Sequence, residues 1–241
     1  MSTVHWLAAS AGPSALPSAT QALDEPNGLL AAGGCLDPDW LLQAYRSGIF
    51  PWYESGQPIL WWSPEPRSVL WLDDLHVSRS LRRTLAKGRF EITADRAFGQ
   101  VIAGCAEPRS YTSSTWITPE MAQAYVRLSR LGWAHSFEAW EQQRLVGGLY
   151  GVAIGSVFFG ESMFARITDA SKVVLVHAVQ FLKQRGFTLI DCQVASAHTT
   201  RLGASQMPRA RFLEHLREHC GTPASPHSWR AEFDAFERRG R

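Results

Sequence analysis

Three side chains in this sequence combine reactive chemistry with telling surroundings: Asp191, Gln193 and Glu161. Asp191 and Gln193 interrupt the run from Phe187 to Val194, which otherwise reads as a buried strand. In a strand, residues two apart point to one side and lie roughly 6.5 to 7 Å apart. A carboxylate and an amide are therefore expected to project together, with Ile190, Cys192 and Val194 packing behind them. Leaving such groups buried without partners costs about 1 to 3 kcal/mol each. They either satisfy one another and nearby backbone or face a cleft, and a carboxylate at the C-terminal end of a strand favours the cleft. Glu161 stands among Phe158, Phe159, Met163 and Phe164. It is either a strand-edge residue facing water or part of the same pocket, since carboxylates with shifted pKa values concentrate in clefts. Two acids beside hydrophobic walls would attract a cationic group.

A second kind of chemistry lies between His76 and Arg89, where Arg79, Arg82, Arg83, Lys87 and Arg89 occur without an acid. On a helix, Arg79, Arg82 or Arg83, and Lys87 fall on adjacent turns, a stripe that suits a phosphate backbone. A basic run is also commonly a solvated face, and both readings stay open on spacing alone. Trp52 and Trp116 lie in loops where apolar pockets form. Cys192 could pair with His135 or His198 as nucleophile and base, but buried cysteine is usually inert packing.

The elements that must position these groups follow from punctuation and periodicity. The first 23 residues are expected to be a loosely held lead-in, with order beginning near Asp24. Asp37, Pro38 and Asp39 start a helix that Gly48 stops, with Trp40, Leu41, Ala44 and Tyr45 as its apolar stripe. Residues 50 to 66, with four prolines and three tryptophans, exclude regular helix and read as a linker packed into a cleft between domains. Beyond it come a strand over 67–72, a helix over 78–87 capped by Ser78, a strand over 89–93 and a helix over 96–105 begun by Asp95. A helix opened by Thr118 ends at Gly132. Hairpin-connected strands follow over 133–140, 144–153 and 156–163. Glycines at 147, 148, 151, 155 and 160 would let a backbone or ligand approach that hairpin closely. Asp169 opens an apolar helix that Gly186 closes, before the Asp191 strand. This order predicts an α+β fold with one central, mainly antiparallel sheet, divided as a small N-terminal domain (1–62) and a larger one (63–241).

Composition excludes several classes. With 241 residues and 45% hydrophobic content the chain is an ordinary globular one. A net charge of +2 does not by itself announce nucleic-acid binding. No apolar run reaches the roughly 18 residues of a membrane span, and no secretory signal is evident. The four cysteines share no CxxC spacing, so free thiols in a reducing cytoplasm are expected, without a zinc site. There is no GxxxxGK[ST], HExxH or GxGxxG, and no cofactor or metal is expected.

Ordered blocks along the chain resemble the leucyl/phenylalanyl-tRNA–protein transferase family. They are Glu25 to Ala31 with Gly33 and Gly34, Gly48 to Trp52, Pro58 to Pro64, Thr115 to Ile117, Leu145 to Gly148, Gly160 to Phe164, Ala170 to Lys172, Leu189 to Gln193 and Leu202 to Ala204. Cys35, Ser114 and Ala165 stand where the family usually has Asp, Gly and Ser. The resemblance implies a second domain of the GNAT acetyltransferase type, diverted from acetyl-CoA to aminoacyl-tRNA as acyl donor. It implies transfer of Leu or Phe, less readily Met, to the N-terminal Arg or Lys of a protein, marking that protein for degradation. By the same resemblance Asp191 and Gln193 orient the attacking amine and Glu161 helps hold the cationic acceptor. Trp52, Trp116, Tyr125, Leu149 and Phe158 would form the side-chain pocket, and Arg79, Arg82, Arg83 and Lys87 would grip tRNA phosphates. An ordinary acetyl-CoA-dependent N-acetyltransferase is the alternative, although no pyrophosphate loop is evident between Phe164 and Ser171.

Overall fold

Short apolar runs separated by glycine and proline fold into two sheets, in a computed structural model that describes residues 4–107, 115–221 and 226–239. The first sheet has the order β1 (His5–Leu7), β2 (Leu29–Gly33), β4 (Leu60–Trp62), β3 (Phe50–Pro51). Two expectations are corrected here. The lead-in is not loose: β1 pairs in parallel with β2, and Leu7, Ala19 and Ala22 are buried. The stretch from 50 to 66 is not a linker, because its two ends pair antiparallel as β3 and β4 and β4 continues onto β2. Proline at 51 is tolerated because β3 is an edge strand. Trp61, fully buried, donates its indole N–H to the Gly33 carbonyl at 2.9 Å, which gives a buried indole its partner. Helix α1 (Pro38–Arg46) lies against this sheet with Trp40, Leu41, Leu42, Ala44 and Tyr45 buried.

The second sheet is mixed and mainly antiparallel, as expected. Its order is β11 (Ser205–Met207), β5 (Arg67–Trp71), β10 (Leu189–Gln193), β9 (Val157–Ala165), β8 (Arg144–Ile154), β7 (Ala134–Glu141), β6 (Glu91–Ala94). Among the described strands only β10 and β9 run parallel in it, paired from Leu189 with Val157 to Asp191 with Phe159. On one face, α3 (Phe98–Ala106), α4 (Pro119–Arg130) and α7 (Arg209–His219) share a continuous core with the first sheet. On the other, α2 (Arg79–Ala86), α5 (Ala170–Gln184) and α8 (Arg230–Arg239) cover the strands, and the short α6 (Ala197–Arg201) lies between β10 and β11 in the chain. No helix among the described residues is long and apolar enough to cross a membrane.

Helix starts follow the capping chemistry at Ser78 and Thr118 and depart from it at Asp37, Asp95 and Asp169; Asp37 holds the N-cap position of α1 without a side-chain cap hydrogen bond. Ser78 and Thr118 accept the backbone N–H groups of Leu81 and Met121, satisfying donors that the first turn leaves free. Asp95 does not cap α3; it takes a left-handed backbone (φ 52°) and binds elsewhere. Its carboxylate accepts from Ser136 N–H and Trp229 N–H and meets His135 Nδ1 at 2.9 Å. Asp169 also has positive φ and holds Lys172 and Thr84 by its side chain instead of the helix end. The hairpin glycines serve packing: a Cβ at Gly147 would meet Ala170, and one at Gly151 would fall 2.3 Å from the Phe159 carbonyl oxygen.

Candidate active site

Past Asp191 and Phe159 the two parallel strands part, and a cavity of about 810 Å³ opens at their C-terminal ends. Two β-bulges shape it. In β9, Tyr150 pairs with Ser162 and Gly151 with Gly160, so Glu161 is the extra residue. In β10, Asp191 pairs with Val69 and Gln193 with Ser68, so Cys192 is the extra one, and Gln193 turns into a left-handed conformation at φ 56°. A bulge disrupts the two-residue alternation and re-aims side chains.

This corrects the expected facing. Ile190, Cys192, Gln193 and Val194 all line the cavity, while Asp191 is sealed on the opposite side. There Asp191 forms a bidentate pair with Arg67, Nε to Oδ1 at 2.8 Å and a second nitrogen to Oδ2 at 2.6 Å, both side chains fully buried. The Arg67 guanidinium also donates to the Gly48 carbonyl and lies between the Phe50 and Phe212 rings, at 4.8 and 4.7 Å. Asp191 Oδ1 additionally accepts the Gln193 backbone N–H at 3.0 Å. Asp191 thus fixes the turn that presents Gln193 and does not itself reach the cavity.

Gln193 Nε2 donates to Glu161 Oε1 at 3.1 Å, and Glu161 lines the cavity floor. Tyr45 and Tyr125 hydroxyls reach the two Glu161 oxygens, each at 2.7 Å, and contact one another. Burial of the carboxylate raises the Glu161 pKa to about 7; hydrogen bonds from the two tyrosines oppose the rise, the charge of Asp191 adds to it and Arg67 counters it. Tyr150, fully buried on the cavity wall, has a hydroxyl without a hydrogen-bond partner among the described residues.

The remaining expected residues fall into three groups. Leu149 and Trp116 line the cavity, beside Met163, Phe164, Leu175 and Ile190. Tyr125 lies fully buried behind Glu161, and Phe158 is fully buried against Phe137 and Trp229, neither on the cavity surface. Trp52 stands away from the cavity wall, 45% exposed and edge-on to Trp62. Ser114, and with it the start of the loop carrying Trp116, lies outside the described residues. Cys192 is on the wall and not behind it, but burial pushes its thiol up to about 12, which removes it as a nucleophile near neutral pH. His135 is held by Asp95 and stacked on Trp229 at 3.5 Å, away from the cavity. Arg79, Arg82, Arg83 and Lys87 stand exposed on and just beyond α2, and none of the described ion pairs involves them. The sequence reading missed Arg67 and Tyr45 as site residues. An arginine heading the strand that runs on through Ser68, Val69, Leu70 and Trp71 was the available signal for Arg67, because a buried cation requires a counter-charge.

A cavity with one apolar wall and a polar rim that includes Arg166, His198 and Thr199, ending on a carboxylate and a carboxamide, suits an amine acting beside a greasy group, the class of amine-accepting acyltransferases. Comparison with known proteins makes the assignment specific. The model for "Leucyl/phenylalanyl-tRNA protein transferase" matches residues 69–217, and that for the N-terminal domain of the same family matches residues 34–65. A leucyl/phenylalanyl-tRNA–protein transferase of Aromatoleum aromaticum is 56% identical over 95% of this chain and 95% of its own length. One of Stutzerimonas stutzeri is 58% identical over 89% and 95%. The chain belongs to the leucyl/phenylalanyl-tRNA–protein transferase family and is an aminoacyltransferase. Among solved structures, that of L-PGS from Bacillus licheniformis matches at 10% identity and a TM-score of 0.38, over 69% of this chain and 53% of that one, too distant to refine the fold class.

Proposed function

We propose that the protein moves Leu or Phe, and less readily Met, from aminoacyl-tRNA to the N-terminal Arg or Lys of acceptor proteins, creating a degradation signal in the cytoplasm. The larger sheet, with its parted parallel pair, is read as a GNAT-type domain whose acyl donor is an aminoacyl ester. The observation that carries the reading is the floor of the cavity, where Gln193 and Glu161 are hydrogen-bonded beneath the apolar wall of Leu149, Met163, Leu175 and Ile190. A cavity of about 810 Å³ accommodates a Leu or Phe side chain with adjoining ribose.

The ester is already activated, so catalysis reduces to orientation and charge stabilisation. Glu161 meets the acceptor's α-ammonium group and takes one proton from it. An α-amine titrates near 7.7 to 8.0 and Glu161 near 7, so this transfer is close to balanced. The Gln193 carboxamide oxygen then holds the neutral amine against the ester carbonyl carbon. The N–C bond forms, the C–O ester bond breaks, and the amine's second proton passes to the departing ribose oxygen. Asp191 contributes through Gln193, whose backbone it fixes. Trp116 and Leu149 border the side-chain pocket, with Phe158 and Tyr125 supporting its wall from behind. An apolar pocket discriminates by only about 1 to 3 kcal/mol per methylene, so Leu, Phe and Met are graded and not absolute choices. Arg79, Arg82, Arg83 and Lys87 bind tRNA phosphates without reading bases.

The deciding assay is incubation with radiolabelled Leu-tRNA and a peptide beginning with Arg, with an Ala-initiated peptide as control. Label is expected only in the Arg peptide. Equal labelling of both, or of neither, refutes the acceptor assignment, and tight acetyl-CoA binding by calorimetry would replace the donor.

A further inference from the structure

The carboxyl of Glu161 shares its pocket with two phenols that come from different parts of the chain: Tyr45 from α1, packed on the first sheet, and Tyr125 from α4. All three oxygen pairs are in hydrogen-bonding contact, Tyr45 with Tyr125, Tyr45 with Oε1, and Tyr125 with Oε2. Both tyrosines are fully buried. Two phenols carry two hydrogens between them. When both are donated to the carboxylate, none remains for the contact between the phenolic oxygens, and two sets of lone pairs face each other. A hydrogen on the carboxyl completes the set: Glu161 donates to Tyr125, Tyr125 to Tyr45, and Tyr45 back to Oε1, a closed ring with one hydrogen per contact. Oε1 has a lone pair left for the Gln193 amide.

We propose that Tyr45 and Tyr125 are positioning residues for the transfer, closing with Glu161 a proton-sharing ring on the cavity floor that exists only when α1 of the first sheet is docked. This rests on the reading of Glu161 as the group that meets the acceptor's ammonium. The groups facing Glu161 from the packed elements are Tyr45 on α1, Tyr125 on α4, Tyr150 on β8, Asp191 on β10 and Arg67 on β5, with the neutral amide of Gln193. In the ionised state both phenols donate to the carboxylate and fix its orientation beside Gln193. In the protonated state the ring stores the proton taken from the ammonium until it returns to solvent. Each step conserves hydrogens: the ammonium loses one, the carboxyl gains one, and no bond to carbon changes until the freed amine attacks the ester.

The test uses the full-length chain, with Tyr45→Phe and Tyr125→Phe each deleting one hydroxyl at nearly constant volume, and Glu161→Gln as the spectroscopic blank. Infrared difference spectra between wild type and Glu161→Gln report the protonated Glu161 carboxyl as a function of pH, independently of activity. In parallel, kcat/KM for an Arg peptide is measured from pH 5.5 to 9 with saturating Leu-tRNA. Each substitution takes one charge-assisted hydrogen bond from the ionised carboxylate and opens the neutral ring of the protonated form. Because the two tyrosines together hold the Glu161 pKa down, the first loss outweighs the second, and the midpoint of the carboxyl signal is expected to rise by up to about one pH unit. The acid limb of kcat/KM should move with it, about tenfold lower at pH 6 for each unit and nearly unchanged at pH 9. An unmoved or lowered midpoint overturns the ring. A midpoint that moves while the kcat/KM profile stays still also overturns the proposal, and in that case it is the role of Glu161 in meeting the acceptor that has failed. Should Tyr125→Phe not fold, Tyr45→Phe carries both measurements.

Discussion

Replacing Asp191 with alanine should damage the protein twice, and the two effects are separable. Arg67 and Asp191 are both fully buried and joined by two hydrogen bonds at 2.8 and 2.6 Å. Removing the carboxylate strands a guanidinium between two phenylalanine rings with one carbonyl for company. Breaking such a pair from one side typically costs about 3 to 5 kcal/mol, a large fraction of the roughly 5 to 15 kcal/mol that holds a domain together. For a chain of this size that lowers the melting temperature by about 6 to 20 °C. Replacing both partners, Arg67→Met with Asp191→Leu, removes the stranded charge as well and should recover most of the loss. The Gln193 backbone N–H would still lack its acceptor, so transfer activity is expected to stay low in the double variant even at temperatures where it is folded. Urea denaturation followed by tryptophan fluorescence gives the stabilities, and Leu transfer to an Arg peptide gives the function. An Asp191→Ala protein within about 1 kcal/mol of wild type, or a stable double variant with full activity, would refute the reasoning.

Tyr150→Phe deletes a buried hydroxyl that has no partner among the described residues, so urea midpoints should be unchanged or higher by up to about 1 kcal/mol in stability. Arg83→Ala should weaken tRNA binding and lower the slope of log affinity against log salt by about one; a slope equal to that of wild type removes this residue from the interface. Burial lowers the His135 pKa below its usual 6.5, against the pull of Asp95. The folded state therefore binds this proton less readily than the unfolded chain, and the stabilisation it brings is present above pH 6.5 and lost as pH falls through the folded-state value. Part of the acid sensitivity of the urea midpoint below pH 6.5 should vanish in His135→Gln.

Much of the second sheet was legible because its signals are local: Ser78 and Thr118 at caps, glycines at helix ends, and three alternating runs joined by tight hairpins. The first sheet was hidden because β1, β3 and β4 are two or three residues long and paired across the sequence, so neither period nor length marks them. Proline at 51 and the tryptophan cluster read as irregular chain, although β3 is an edge strand where proline costs little. The candidate site was legible in its residue types, not in its facing. Alternation put Asp191 beside Gln193, but a bulge at Cys192 and a positive φ at Gln193 broke the rule where the chemistry lies. Likewise the glycines of the hairpin reflect crowding by Ala170 and the Phe159 carbonyl oxygen, a tertiary cause invisible in one sequence. Asp95, placed at a helix start, found stronger partners in Ser136, Trp229 and His135.

The core shared by the two sheets has an evolutionary corollary. Residues of α1, α3, α4 and α7 interlock there, and the Gly48 carbonyl is committed to Arg67. The first sixty residues are consequently not an interchangeable cassette. Grafting them from a distant relative would import a Tyr45 and a Gly48 shaped for another α4 and another β5, so substitutions at these places are constrained to arise in concert.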